Sequence, residues 1–203
     1  MKKILCFGDS NVFGFNPKNF KQYKENEYWS SILRNKLADY NFKIDGCNNR
    51  TIFSNPQKEL NSIKLINDYI LDDFDLIIYQ IGINDLQYHY NNSLSKFEEK
   101  LEELIKTTKE KSSAKIILIC PNEINPCILK SYFAQLFNET SIENSKNLLN
   151  IYKKICQKYC CKLIDLNLHT KTSAIDGLHF DNHNHQIIAD VLFENILKLF
   201  KKS

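Results

Sequence analysis

The run Leu76–Ile81 constrains this chain most. It is almost continuously apolar and stops at Gly82-Ile83-Asn84-Asp85. A strand with no polar face must be covered on both sides, which is the position of a central strand in a parallel sheet. Lys115–Cys120 has the same character and closes at Pro121-Asn122, and Ile4–Phe7 closes at Gly8-Asp9-Ser10. Two weaker segments complete a set of five strands: Asn41–Asp45, where Phe42 and Ile44 alternate, and Lys162–Leu166.

Amphipathic segments lie between these runs. Tyr28–Tyr40 repeats Trp29, Ile32, Leu33 and Leu37 at helical spacing, and Pro56–Asp72 repeats Leu60, Ile63, Ile66 and Ile70. Ser95–Glu110, Ile142–Tyr159 and Asn184–Lys201 are read as three longer helices on the same grounds. Alternating strands and helices specify a parallel sheet with helices on both faces, an α/β/α sandwich in three layers. No linker or repeat divides the chain, so residues 1–203 are expected to form one domain. Asn11–Asn19 and Leu168–Leu178 read as loops. Residues 123–140, with Pro126, Tyr132, Phe133 and Phe137, read as a loop with a short helix over the site.

Charge and cysteine content narrow the function classes. A net charge of +3 with lysines spread over helix faces makes no case for nucleic acid. Seven cysteines include no C-x-x-C pair, and Cys160 and Cys161 are adjacent, which points to free thiols in a reducing compartment. The apolar run after Met1-Lys2-Lys3 ends after four residues, too short for a signal peptide, and no stretch has the length of a membrane span. A cytoplasmic protein with no membrane or nucleic-acid partner is expected.

In a parallel sheet the C-terminal strand ends meet at one edge. Three polar clusters follow predicted strands: Gly8-Asp9-Ser10, Asn48-Asn49-Arg50 and Gly82-Ile83-Asn84-Asp85. A fourth, Asp176-Gly177-Leu178-His179, precedes the last helix. Together they hold what acyl transfer needs. Ser10 can be the nucleophile and His179 its base. Asp176, three residues before His179, can fix the imidazole tautomer. The Ser10 and Asn49 backbone N–H groups and the Asn84 side-chain amide can donate to an oxyanion. Asp9, Asn11, Phe13 and Phe15, beside the serine, are candidate pocket residues; Asp9 also suits bracing of loop N–H groups.

With these blocks in order, the chain resembles the SGNH (GDSL) hydrolase family. Phe7-Gly8-Asp9-Ser10 is similar to its first block, Gly82-Ile83-Asn84-Asp85 to its G-x-N-D block, and Asp176-Gly177-Leu178-His179 to its D-x-x-H block. Val12–Pro17 and Gly46–Ile52 resemble the arylesterase/acyltransferase branch. The resemblance implies a flavodoxin-like sheet, a serine esterase acting through an acyl-enzyme on short esters or thioesters, and neither metal nor cofactor. Members of that branch can form oligomers, so a homo-oligomer stays open. The second block departs from the family: its oxyanion glycine falls at Asn49, with Gly46 as the alternative register.

Other readings stand beside this one. Carbohydrate O-acetylesterase and lysophospholipase or thioesterase activities use the same scaffold. A catalytically inactive binding module would need neither Ser10, Asn84 nor His179. Asp176, His179, Asp181, His183 and His185 could be read as a metal cluster, but His183 and His185 are two residues apart where a helix begins and do not share a helix face. Arg50 and Asp85 are read as structural anchors of their loops.

Overall fold

A computed structural model describes residues 1–201; residues 202 and 203, included in the one-domain reading, lie outside the described residues. The chain begins with β1 (Lys3–Gly8), a single helical turn α1 (Ser10–Phe13), and a small antiparallel hairpin of β2 (Phe15–Asn16) and β3 (Lys21–Gln22). Then come α2 (Trp29–Lys36), β4 (Asn41–Gly46), α3 (Ser62–Asp68), β5 (Leu76–Gln80) and α4 (Leu94–Lys111). The last part holds β6 (Lys115–Cys120), α5 (Glu139–Tyr159), β7 (Lys162–Asp165) and α6 (Asn182–Lys201).

The main sheet has five parallel strands in the order β4-β1-β5-β6-β7. The expected five-stranded parallel sheet in a three-layer sandwich is what forms. Alternation along the strands divides the core. Leu5, Phe7, Ile77, Tyr79, Ile116 and Leu118 pack with Phe97, Leu101, Leu148 and Tyr152 of α4 and α5. Ile4, Cys6, Ile78, Ile117 and Ile119 pack with Trp29, Leu33, Ile188 and Leu192 of α2 and α6 on the other face. Because each central strand is apolar on both faces, it can serve two helical layers. Among the described residues no helix is long and apolar enough to cross a membrane.

The differences from the sequence reading lie in local boundaries. The expected loop Asn11–Asn19 contains α1 and one arm of the hairpin, because Asp9 accepts from the Asn11 N–H and caps a turn directly after β1. The expected helix Pro56–Asp72 is α-helical only over Ser62–Asp68, with a short 3₁₀ turn at Lys58–Leu60 before it. Asn61 accepts from the Lys64 N–H and donates to the Phe53 and Asn55 carbonyls, so residues before it are tied into a loop. The expected helix Tyr28–Tyr40 stops at Lys36. Residues 126–130 and 132–135 are two short 3₁₀ turns.

The order of strands sets the place of the site. From β1 the chain goes to β4 on one side and returns past β1 to β5 on the other. The strand order therefore reverses between β1 and β5, where open α/β sheets form a crevice beyond the C-terminal strand ends. The segments leaving β1 and β5 carry Ser10 and Asn84.

Candidate active site

Ser10 is the first residue of α1, raised on a turn that follows β1 with only Asp9 between them. The close packing beneath it requires glycine at Gly46, the last residue of β4. A Cβ there would stand 2.2 Å from the Phe13 backbone nitrogen. Asp176 and His179 come from the loop before α6. Gly177 between them has φ +74°, and a Cβ on it would meet the Asn125 carbonyl at 2.6 Å. This tight turn lets Asp176 Oδ1 accept the Leu178 and His179 N–H groups, both at 3.0 Å.

The far ends of the chain meet here. His179 Nε2 lies 2.9 Å from Ser10 Oγ, and His179 Nδ1 lies 2.6 Å from Asp176 Oδ2. All three residues are buried. Burial works against the charge of Asp176. The bond from His179, the attraction of its ring and the two backbone N–H groups outweigh it and hold the carboxyl below its ordinary range. The rings of Phe15 and Phe133 flank the imidazole at 4.3 and 5.2 Å between centroids. Hydroxyl, imidazole and carboxylate in this sequence can move a proton from serine to histidine while the acid stabilises the resulting imidazolium.

Asn49 sits at the third position of the turn Cys47-Asn48-Asn49-Arg50, closed by an Arg50 N–H bond to the Cys47 carbonyl. Its φ is +61°, the left-handed region that glycine prefers and asparagine tolerates best among other residues. The backbone therefore has a physical reason to accept asparagine where the family resemblance implies glycine. Asn49 lines the cleft, whereas Gly46 lies under α1 and does not.

Arg50 ties this turn to β1 and β4. Its guanidinium donates to the Gly8 carbonyl at 3.1 Å, the Asp45 carbonyl at 2.7 Å and Asp45 Oδ1 at 2.7 Å, and lies over the Phe7 ring. Asp85 braces the next stretch: it accepts from the Ile52, Phe53 and Ser54 N–H groups and the Ser54 hydroxyl. Burial pushes the Asp85 carboxyl up to about 6 against those bonds. Asn84 is buried between the two anchors.

The cleft over Ser10 measures about 180 Å³. Its lining includes Ser10, Asn49, Asn84 and His179, and its walls are Phe15, Phe20, Tyr132, Phe133, Leu136, Phe137 and Leu178. Three of the pocket candidates are corrected here. Asp9 is fully buried, and its side chain is turned to the Asn11 N–H at 2.9 Å. Asn11 is buried in α1 rather than facing the cleft. Phe13 ends α1 beside Gly46, off the lining. A helical turn sends successive side chains in different directions, so nearness to Ser10 in sequence does not bring a residue to the cleft. Phe15 does line it.

Sequence reasoning missed Asn48, Phe20 and Leu178 as lining residues. Phe20 had one signal, an aromatic near the Pro17 stop. Of the His/Asp cluster, Asp181 caps the start of α6 by accepting from Asn184. His185 is buried with Nδ1 accepting from the Trp29 N–H. Burial holds that ring neutral, pushing it down to about 3.

Comparison with known proteins agrees with this architecture. Residues 4–192 match the family described as GDSL-like Lipase/Acylhydrolase. Among curated proteins none matches. Among solved structures, the chain is similar to the native M. smegmatis aryl esterase, with 22% identity, a TM-score of 0.88 and coverage of 98% of this chain and 100% of that one. It is similar to a carbohydrate acetylesterase family member from Sinorhizobium meliloti, with 21% identity, a TM-score of 0.85 and 97% coverage of both chains. It is also similar to a lipolytic G-D-S-L family member from Veillonella parvula, with 14% identity, a TM-score of 0.72 and coverage of 96% and 97%. At these identities the structures share the fold.

Proposed function

Since the chain belongs to the GDSL-like lipase/acylhydrolase family and is an SGNH-type ester hydrolase, we propose that it cleaves small uncharged carboxylic esters through an acyl-enzyme on Ser10. The observation that carries the reading is the unbroken chain Ser10 Oγ, His179 Nε2, His179 Nδ1 and Asp176 Oδ2, with contacts of 2.9 and 2.6 Å.

Ser10 Oγ attacks the ester carbonyl carbon as its proton passes to His179 Nε2. Asp176 stabilises the imidazolium and keeps its tautomer fixed. The Ser10 N–H, the Asn49 N–H and the Asn84 side-chain amide donate to the oxyanion. His179 then returns the proton to the departing alkoxide, leaving acyl-Ser10. Water attacks that ester with His179 again as base, and the carboxylic acid departs.

The cleft supports an uncharged substrate with a short acyl group. Its volume suits on the order of ten heavy atoms, and among the described residues no Lys, Arg, Asp or Glu lines it. A lysophospholipid headgroup would find no ionic partner there. Carbohydrate O-acetyl esters form a second reading, favoured by exposed Asn48 and Asn49, which line the cleft together with its aromatic residues. A reducing cytoplasm suits the seven free cysteines.

The test is a fluorophosphonate label read by mass spectrometry, with hydrolysis of 4-nitrophenyl acetate and of acetylated sugars measured with and without chelator. The reading expects an adduct on Ser10 and chelator-insensitive turnover. Chelator-sensitive turnover without an adduct overturns it in favour of a metal-dependent hydrolase. Neither adduct nor turnover overturns it in favour of a binding module.

A further inference from the structure

Asn84 can serve an oxyanion only with the correct edge of its amide facing the cleft. Its Nδ2 carries two hydrogens; its Oδ1 would repel the developing charge. Two buried contacts set the choice. Nδ2 donates one hydrogen to the Arg50 carbonyl at 3.0 Å, leaving the second for a ligand. Oδ1 accepts from Gln87 Nε2 at 3.2 Å. An inverted Asn84 amide would oppose Oδ1 to the Arg50 carbonyl oxygen and, with the Gln87 amide as it stands, Nδ2 to the Gln87 donor.

We propose that Gln87 is a positioning residue for the oxyanion donor: its amide holds Asn84 with Nδ2 toward the cleft. The inference rests on the oxyanion role of Asn84 given above.

Gln87 is itself held firmly. Its N–H donates to the Asn84 carbonyl at 3.3 Å, closing the 3₁₀ turn Ile83–Leu86. The residues beside it are tied to other elements. The Leu86 carbonyl accepts from the Ser141 hydroxyl of α5 at 2.7 Å, and the Tyr88 N–H donates to the Leu136 carbonyl at 3.0 Å. Gln87 is buried, yet it borders a second, polar cavity that Ser10 does not line. Leu136 lines the Ser10 cleft, so one backbone bond joins the turn that holds Gln87 to the wall that faces substrate.

The test pairs Gln87→Leu, which removes the donor, with Gln87→Glu, which keeps the shape and makes donation depend on pH. Charged and titratable groups near this position are Asp85, Tyr88 and Tyr90 from its own segment, with Arg50, His179 and Asp9 toward the serine; the residues of α5 that line the same cavity (Thr140, Ser141 and Asn144) are neutral. All are present in wild type as well, so the variant-to-wild-type ratio reads the new carboxyl. Gln87→Leu is expected to lower kcat by about ten- to a hundredfold with KM little changed, as for a displaced catalytic group. The kcat of Gln87→Glu relative to wild type is expected to rise as pH falls and the new carboxyl becomes a donor. Asn84→Ala should cost about 10²–10³ in kcat, and adding Gln87→Leu to it should cost nothing more, because the two act as one unit.

Full kcat in Gln87→Leu, additive losses in the double variant, or a pH-independent ratio for Gln87→Glu each overturns the role of Gln87. Full kcat in Asn84→Ala overturns the oxyanion reading itself. If Gln87→Leu fails to fold, the Gln87→Glu ratio alone decides.

Discussion

On one side of the cleft, Ser10, Asn49, Asn84, Arg50 and Asp85 rest on turns that leave parallel strands, and directional bonds hold the side chains of Ser10, Asn84, Arg50 and Asp85. On the other side, Phe15 and Phe20 from the hairpin meet Tyr132 and Phe133 from residues 126–137 through ring edges, at centroid distances between 5.4 and 6.1 Å for Phe20–Tyr132 and Phe15–Phe133. Phe20 is 55% exposed and Tyr132 65% exposed. Phe20 also sits at φ +61°, a conformation that a bulky side chain adopts at a cost. The polar side holds atoms to the tolerances that bond-making requires. The aromatic side offers contact area without fixed direction, so its members can change with less penalty.

The largest effects should come from the polar side. Ser10→Ala and His179→Ala are each expected to reduce kcat by about 10⁴-fold or more, to similar residual levels, because the groups act as a unit. Asp176→Asn should also fall by orders of magnitude, since its amide cannot enforce the same histidine tautomer. Steady-state hydrolysis of 4-nitrophenyl acetate checks all three, and near-full turnover in Asp176→Asn would remove the orienting role.

A middle-sized effect belongs to Asp9. Burial pushes its carboxyl from 3.8 up to about 7, against the Asn11 N–H and the nearby Arg50 charge. Its folded pKa lies above the unfolded one. Its favourable contribution is therefore complete below the unfolded value near 3.8 and is lost as pH rises through about 7. The Tm of Asp9→Asn minus that of wild type should grow steadily between pH 4 and pH 7 and then level off. A difference that is flat across this window would show that the buried acid keeps its ordinary pKa.

The smallest effect is expected on the aromatic side. Phe20→Asn loses two edge contacts but relieves the left-handed backbone, so stability should stay within about 0.5 kcal/mol. KM for 4-nitrophenyl acetate should rise about two- to tenfold with kcat little changed, the range of one aromatic contact. A fall in kcat as large as that of Asn84→Ala would erase the distinction between the two sides.

The same division governs what could be read from residues alone. Leu76–Ile81 and Lys115–Cys120 announce central strands because a side chain alternates faces every residue, and both faces are apolar. Gly8-Asp9-Ser10, Gly82-Ile83-Asn84-Asp85 and Asp176–His179 were legible because they follow strands or open the last helix, where a parallel sheet gathers its loops. The pocket was much less legible. Asp9, Asn11 and Phe13 are next to Ser10 in sequence yet turn away, while Leu136 and Leu178 reach the cleft from more than a hundred residues later.

The sequence by itself determined the alternation of strands and helices, the five-stranded parallel sheet and the polar groups at its strand ends, since periodicity and turn chemistry are local properties of the chain. Only the tertiary structure decided that Asn49 takes a left-handed turn, that Gln87 sits behind Asn84 and that Phe20 meets Tyr132 at the mouth of the cleft. Those features depend on contacts between segments far apart in the chain, where burial and hydrogen-bond partners are settled by packing rather than by neighbours in sequence.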